Sequence, residues 1–208
     1  MSQPLILKTA DVGPWPVNAY ALICPATGQS VLLDPGADPE TLLSLLAGST
    51  PVAIWLTHTH PDHIGALDEM RQRLNVPVAA HPGDHYEDPR ADVWLNDGDI
   101  LSAGQHTVRV YHAPGHIGDQ VCFALDGDNR VIVGDTIFDG GPGKTWSAEG
   151  FQTTLQTLRR VVMPWPDDTI CYPGHGSHFM LGTIRPAVEA FLRKAHPPDF
   201  FGDATWDM

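Results

Sequence analysis

The residues best suited to chemistry in this sequence are its histidines, of which there are 11 in 208 residues. Two of them, His58 and His60, lie in the motif HTHPDH, directly after the apolar run 52–56. Side chains at i and i+2 of an extended segment point to the same side, so these two imidazoles can bind one ion. Asp62 and His63 follow at the start of a predicted helix, whose N-terminal dipole favours a carboxylate, and they can serve a second ion.

Three later segments repeat one arrangement, in which a short β-type run is followed by a turn that carries a possible ligand. The ligands are His116 in the sequence APGH, Asp135 in GDTIF and His175 in PGHG. Each has a glycine beside it, which permits a tight turn and a close approach of the backbone. Because strands fix the positions of the turns that follow them, we expect these segments to gather around one site.

The candidate ligand set contains five histidines and two aspartates: His58, His60, Asp62, His63, His116, Asp135 and His175. A structural zinc site is closed by four ligands and is usually rich in cysteine, whereas this set offers seven nitrogen and oxygen donors. The larger number favours two ions about 3.5–4 Å apart, bridged by Asp135 and with open positions for water. The sequence therefore predicts a two-metal catalytic site.

The elements that would position these residues are short strands with interspersed helices. We predict strands over 19–24, 30–33, 52–56, 107–113, 120–125, 130–133 and 169–172, and helices over 38–47, 62–74, 151–163 and 181–195. Asp62 is predicted to cap the second helix, and Pro186 to lie in the first turn of the last one. The pattern indicates an α/β (α+β) protein whose helices cover its sheets, built as a single domain over residues 1–208.

Composition narrows the possible partners. The chain has 12 Lys and Arg against 25 Asp and Glu, a net charge of −13, which argues against a nucleic acid or an anionic membrane as partner. No segment resembles a signal peptide or a membrane span, so we expect a cytoplasmic protein. The three cysteines, Cys24, Cys122 and Cys171, are predicted to be free thiols, with burial expected for the last two.

The motifs HTHPDH, APGH, GDTIF and PGHG, in this order, resemble the metal motifs of the metallo-β-lactamase superfamily, and within it glyoxalase II (hydroxyacylglutathione hydrolase) and its relatives. The resemblance extends from Asn18 to the last helix and implies a four-layer αβ/βα sandwich with a dinuclear site at one edge of the sheets. It implies that His58, His60 and His116 hold one ion. Asp62, His63 and His175 would hold the other, with Asp135 as the bridge.

The same resemblance implies the reaction. Two divalent ions lower the pKa of a shared water from about 15.7 towards ~7, and the metal-bound hydroxide attacks a thioester, ester or lactone carbonyl. Asp62 would orient the hydroxide as well as bind its metal. Zinc is expected for a histidine-rich site, while the oxygen ligands also suit iron or manganese. Asp135 argues against a true β-lactamase, and His60 against the flavodiiron oxygen reductases.

Several features bear on the substrate. The sequence ends 33 residues after His175, without the helical domain that follows in full-length glyoxalase II, and residues 117–120 (IGDQ) replace the usual T-x-G-S. Lys144 matches a glyoxalase II lysine that contacts glutathione, and Trp146 matches a position that is often aromatic, so both are predicted substrate contacts. A small molecule such as an anionic thioester is the expected partner.

Alternatives remain open at this point. A persulfide dioxygenase would use one iron held by the residues that match His58, His116 and Asp135, and a lactonase would share the dinuclear site. A metal-bound interaction module without catalysis is the non-enzymatic alternative. The aromatic residues of the tail 196–208 either cover the domain or form a dimer contact.

Overall fold

The first half of the chain forms a mixed six-stranded sheet in the computed structural model, which describes residues 3–208. Its strands follow one another in chain order, antiparallel for the first three and parallel from the third onward. The strands are β1 (Ile6–Val12), β2 (Val17–Ile23), β3 (Gln29–Leu33), β4 (Thr50–Trp55), β5 (Val78–Ala80) and β6 (Val93–Trp94).

The second half forms another six-stranded sheet, in which neighbouring strands are antiparallel except for one parallel pair, β10 and β11. The order across it is β12-β11-β10-β9-β8-β7. The strands are β7 (Ile100–Ala103), β8 (His106–His112), β9 (Val121–Leu125), β10 (Arg130–Gly134), β11 (Ile170–Pro173) and β12 (Phe179–Met180).

Five helices complete the described part of the chain. They are α1 (Pro39–Leu45), α2 (Pro61–Ile64), α3 (Leu67–Leu74), α4 (Ala148–Thr157) and α5 (Leu181–Arg193). A π-helical turn, Leu158–Val162, continues α4. None of the helices in the described residues is long and apolar enough to cross a bilayer.

Three buried apolar clusters separate four layers of secondary structure. One cluster lies between the sheets, where the rings of Trp55 and Phe123 stack with centroids 5.5 Å apart. A second packs α1, α2 and α3 on the first sheet, and a third packs α4 and α5 on the second. Each sheet is therefore covered on both faces, and the predicted four-layer αβ/βα sandwich is confirmed.

Some predicted elements were wrong in detail. The helix predicted over 62–74 is divided into α2 and α3, because the Ala66 N–H donates to the Pro35 carbonyl and not to the preceding helical turn (2.9 Å). Asp62 does not cap α2; His60 precedes the helix and Pro61 occupies its first position, which proline favours. Pro186 lies in the interior of α5, beyond its first turn.

The cysteines and the tail follow from the packing of these layers. All three cysteines are buried free thiols, as predicted for Cys122 and Cys171. The tail folds back onto its own chain, where Ala204 and Trp206 are buried and Gly202 pairs with Thr145. In this structure the tail therefore covers part of the domain.

Candidate metal centre

The predicted ligands come from both sheets and meet where the strands end. His58 and His60 follow β4, and His63 lies on α2. The turns after β8 and β11 supply His116 and His175, and Asp135 comes directly after β10. The first sheet thus contributes one half of the cluster and the second sheet the other half.

Side-chain donor atoms converge in three overlapping groups, within each of which the atoms lie within 4.8 Å of one another. The groups are His58 with His60 and His116, Asp62 with His63 and His175, and His58 with His63 and Asp135. The first two are the sets implied by the resemblance for the two ions. All seven candidate ligands are brought together, and no eighth residue is needed to complete the groups.

Asp135 lies between the two sets. Its Oδ1 is 3.5 Å from His63 Nε2, and its Oδ2 is 3.5 Å from His116 Nε2 and 3.6 Å from His175 Nε2. One carboxylate therefore faces ligands of both sets, as the bridging role requires.

The donor atoms of this cluster are suited to divalent cations. His58 Nε2, His63 Nε2 and Asp135 Oδ1 are buried and have no hydrogen-bond partner among the residues that the structure describes. Buried polar atoms without partners are costly, and coordination of a cation would remove that cost. The residues present therefore fit the two-metal site.

Four of the histidines are oriented by hydrogen bonds that their Nδ1–H groups donate. This leaves the Nε2 atom of each ring free to coordinate a metal. His63 Nδ1–H donates to Asp34 (3.0 Å), and His58 Nδ1–H to the hydroxyl of Thr57 (3.0 Å). His116 donates in the same way to the carbonyl of Lys144, and His175 to that of Pro16, both at 2.7 Å. His60 differs, because its Nδ1 faces His116 Nε2 at 2.8 Å.

Asp34 is a functional residue that no sequence motif marked. It is fully buried, accepts from His63 Nδ1, and also accepts from the Thr57 hydroxyl (2.6 Å) and backbone N–H (2.7 Å). One carboxylate therefore orients His63 directly and His58 through Thr57. The signal that could have found it is the segment LLDPG, where an acidic residue follows a strand and precedes a turn, as in the segments that were recognised.

The need for glycine at position 174, in the motif PGHG, follows from the close packing at this point. A Cβ atom built on it would lie 2.1 Å from Asp135 Oδ1 and 2.6 Å from His63 Cε1. The backbone before His175 thus approaches the ligands more closely than any other residue type permits.

Burial and neighbouring charges set the protonation of the cluster. Burial lowers the pKa of His58 well below its ordinary value and that of His60 to about 4, which keeps these rings neutral and able to coordinate. Burial acts in the same direction on His175, but its ion pair with Asp62 prevails and raises its pKa to about 9. The corresponding pKa of Asp62 is about 2 despite its own burial.

The two predicted substrate contacts lie beside the cluster in different ways. Trp146 is 62% exposed, and its ring centroid is 6.0 Å from that of His60. Lys144 Nζ lies over the Trp146 ring, 5.0 Å from its centroid, and pairs with Asp203 at 3.4 Å. Tyr86, which belongs to none of the sequence motifs, also lies beside His60, with ring centroids 5.4 Å apart.

A family model described as the metallo-beta-lactamase superfamily matches residues 12–175. The chain belongs to this superfamily, whose members are generally hydrolases, and the predicted family is confirmed.

Two relatives illustrate the range of similar proteins. The probable metallo-hydrolase YqgX of Bacillus subtilis is 34% identical over 192 residues, covering 81% of this chain and 89% of the relative. A hydroxyacylglutathione hydrolase of Bradyrhizobium sp. is 32% identical over 157 residues, covering 75% of this chain. The match spans only 61% of that hydrolase.

Three solved structures share the fold. ETHE1 from Myxococcus xanthus has a TM-score of 0.79 at 27% identity, covering 91% of this chain and 86% of its own. The B3 metallo-beta-lactamase BLEG-1 has a TM-score of 0.77 at 29% identity, covering 87% and 97%. TTHA1623, solved in a di-iron-bound form, has a TM-score of 0.73 at 30% identity, covering 86% and 96%.

Proposed function

We propose that this chain is a dinuclear metal-dependent hydrolase that cleaves a thioester or ester, in the manner of glyoxalase II. The observation that carries the proposal is the position of Asp135, whose two oxygens face histidines of both ligand sets. The similarity to hydroxyacylglutathione hydrolases supports the reaction class.

Two divalent ions held by these residues would supply a Lewis acid for the carbonyl and an activated water at neutral pH. The protein's own contribution is positional. Asp34 and the carbonyls of Lys144 and Pro16 hold the imidazoles in one tautomer, so that their Nε2 atoms point into the centre. Asp62, half-buried beside Pro61 at the cavity, would accept a hydrogen bond from a water activated there.

Zinc remains the proposed metal because five of the seven ligands are imidazoles, with iron or manganese as the alternatives that Asp62 and Asp135 favour. The di-iron form of TTHA1623 supports the iron alternative.

The persulfide dioxygenase is the second candidate, favoured by the similarity to ETHE1 from Myxococcus xanthus. It would use the residues His58, His116 and Asp135 with a single iron. It leaves unexplained why Asp62, His63 and His175 also converge.

The deciding experiment combines metal analysis of protein purified without added metal with activity assays on the metal-replete protein. Five substrates are assayed separately: S-lactoylglutathione, a neutral thioester, a lactone, a glutathione persulfide and a β-lactam. Oxygen consumption is recorded for the persulfide. We expect close to two metal ions per chain and turnover of the thioester. A single iron with oxygen consumption would establish the dioxygenase, and turnover of the lactone or β-lactam alone would replace the thioester as substrate.

A further inference from the structure

A cavity of about 630 Å³ opens directly over the metal centre. The ligands His60, Asp62, His116 and Asp135 contribute to it, so a molecule bound there would touch the reacting atoms. The rest of its lining is Pro61, Asp84, His85, Tyr86, Ile117 and Trp146. The volume is in the range of pockets that bind small organic molecules.

Two large aromatic side chains in this lining are exposed. Tyr86 is 63% exposed and Trp146 is 62% exposed, and both approach the ring of His60, at centroid distances of 5.4 and 6.0 Å. Aromatic rings left in water beside a catalytic centre offer apolar surface to a ligand.

The segment that carries Tyr86 is held in place. The backbone N–H of Tyr86 donates to Thr59 Oγ1 at 2.8 Å. Thr59 is buried, and it lies in the chain between His58 and His60. Gly83, three residues earlier, packs so closely on Gly118 that a Cβ atom would lie 2.3 Å from its carbonyl oxygen. The backbone of Tyr86 is therefore fixed to the turn that carries His58 and His60.

Trp146 is anchored by its neighbours in the chain. Its neighbour Thr145 is buried and pairs with Gly202 of the tail, while Ser147 caps α4 by accepting from the Gly150 N–H at 3.0 Å. The backbone segments that carry both rings are therefore fixed before a ligand arrives, which limits the conformational entropy lost on binding.

The charge of the lining argues against an anionic group inside the cavity. Its described lining residues include no lysine or arginine, and Lys144, behind Trp146, is paired with Asp203. Asp84 adds a negative charge at the rim. Apart from the metal centre itself, the cavity offers apolar surface and no fixed cation.

We infer that Tyr86 and Trp146 form an aromatic clamp that binds a neutral apolar or aromatic group adjacent to the scissile carbonyl of the substrate. The inference rests on the proposed function and deepens it, because it assigns the substrate class. Esters, thioesters and lactones with an apolar group at this position are favoured over those with a short or charged one.

The test separates binding from turnover. Binding of 1-naphthylacetamide, a neutral amide that stands in for an aryl thioester, is compared with binding of acetamide by calorimetry on the metal-loaded protein. We expect the aromatic amide to bind at least ~10-fold more tightly, and Tyr86→Ala or Trp146→Ala each to weaken it ~3–10-fold. Tyr86→Phe should restore binding, since the ring and not the hydroxyl makes the contact.

Ile100→Ala is the matched control, because Ile100 is an exposed apolar residue of β7 outside the cavity lining. It should bind both amides as the wild type does. Equal binding of both amides by the wild type, or unchanged binding in both alanine variants with metal content intact, would overturn the clamp.

A second arm measures kcat/KM for the acetyl and phenylacetyl thioesters of one neutral thiol. Preference for the phenylacetyl thioester, lost in the alanine variants, supports the clamp. Equal rates on both would count against it. Tight amide binding without any thioester or ester turnover would leave the clamp standing and reject the proposed hydrolase.

Discussion

At the residue scale, Asp135 is the candidate ligand whose two carboxylate oxygens face histidines of both sets. Asp135→Ala should therefore lower metal content and reduce turnover by more than the ~10–100-fold typical of an outer-sphere partner. The fold should persist, since the three apolar clusters do not include this residue.

The measurements are metal per chain, kcat and circular dichroism. His178→Ala is the matched control, because His178 is exposed, stacks on Tyr172 (5.3 Å) and belongs to none of the three donor groups. Normal metal content and a near-normal rate in Asp135→Ala would remove Asp135 from the site.

Lys144 was predicted to recognise an anionic part of the substrate, and this stays a prediction. Its side chain is 43% exposed and its partner Asp203 81% exposed, so an anion outside the cavity would compete with Asp203 for it. For S-lactoylglutathione, Lys144→Ala should raise KM ~2–5-fold with little change in kcat, and the effect should shrink at high salt.

Asp203→Asn provides the opposite perturbation, because it frees Lys144 and should lower KM for the same substrate. A neutral thioester should respond to neither variant. Equal effects of Lys144→Ala on anionic and neutral substrates would return Lys144 to an ordinary surface role.

Asp119, in the IGDQ segment, is expected to lower the free energy of unfolding in a pH-dependent way. Burial raises its pKa to about 6, and neither carboxylate oxygen has a hydrogen-bond partner among the described residues. The folded pKa exceeds the unfolded one, so this group disfavours folding fully above pH 6 and not at all below about pH 3.8.

Asp119→Asn should therefore stabilise the protein at pH 8 by on the order of 2 kcal/mol more than at pH 4.5, measured by urea unfolding of variant and wild type at both pH values. Comparison at each pH cancels the titration of the metal ligands. If the difference in the free energy of unfolding between variant and wild type is the same at both pH values, Asp119 is ionised in the folded and the unfolded protein alike.

The convergence of the seven candidate ligands could be predicted from the sequence, because few roles besides metal binding place several histidines at short spacing directly after a strand. Asp34 and Tyr86 were not predicted. The segment LLDPG is only a weak signal for Asp34, because an aspartate after a strand is common in proteins of every kind, and so is a loop tyrosine. Only their distances to His63 and His60, which the tertiary structure sets, distinguish them.

At the element scale, the predictions succeeded for the longer apolar strands and missed the strands that are very short or mostly exposed. The apolar runs that became β2, β3 and β4 were recognised. The strands β1 and β7 were missed because they are mostly exposed or half-buried, and β5, β6 and β12 because they are too short to show a pattern. The break between α2 and α3 also depends on a tertiary contact, the hydrogen bond from Ala66 to Pro35.

The tail supports the metal centre through one loop. Trp206 donates from its indole N–H to the Asp139 carbonyl (2.8 Å) and from its backbone to Gly140 (3.2 Å), and this loop ends at Lys144, whose carbonyl orients His116. Trp206→Ala should therefore cost ~3–5 kcal/mol of stability and also weaken metal binding by the set that contains His116.

Trp165→Ala is the matched control, since Trp165 belongs to the same cluster and is equally buried, with 8% exposure for both residues. It should destabilise the protein without changing the metal affinity of the folded state. Chelator competition in the absence of denaturant measures that affinity. Equal affinities in the two variants would confine Trp206 to packing.

At the scale of the whole molecule, the pattern of elements predicted sheets covered by helices, but the four-layer arrangement could be predicted only through the motif resemblance. Strand and helix patterns alone indicated an α/β protein, because they contain no information on which strands share a sheet. The order of the strands within each sheet follows from pairings between segments that are separated in the sequence, such as β3 with β4 and β10 with β11.

The two halves of the molecule meet at the candidate metal centre, so we expect bound ions to contribute to the stability of the fold. His58, His60 and His63 belong to the half built on the first sheet, and His116, Asp135 and His175 to the half built on the second. Ions bound by both halves stabilise only the folded state, because the unfolded chain does not bring these ligands together.

Removal of the metals by a chelator should consequently lower the Tm. Saturation at ~1,000 times the dissociation constant contributes about 4 kcal/mol, which corresponds to a shift of roughly 10 °C for a chain of this size. The measurement is calorimetry of the loaded and chelated protein with metal content determined for each. In Asp135→Ala the difference between loaded and chelated samples should be much smaller, because the ligand that faces both sets is absent. An unchanged Tm after complete metal removal from the wild type would show that the two halves hold together without the ions, and that the cluster serves chemistry alone.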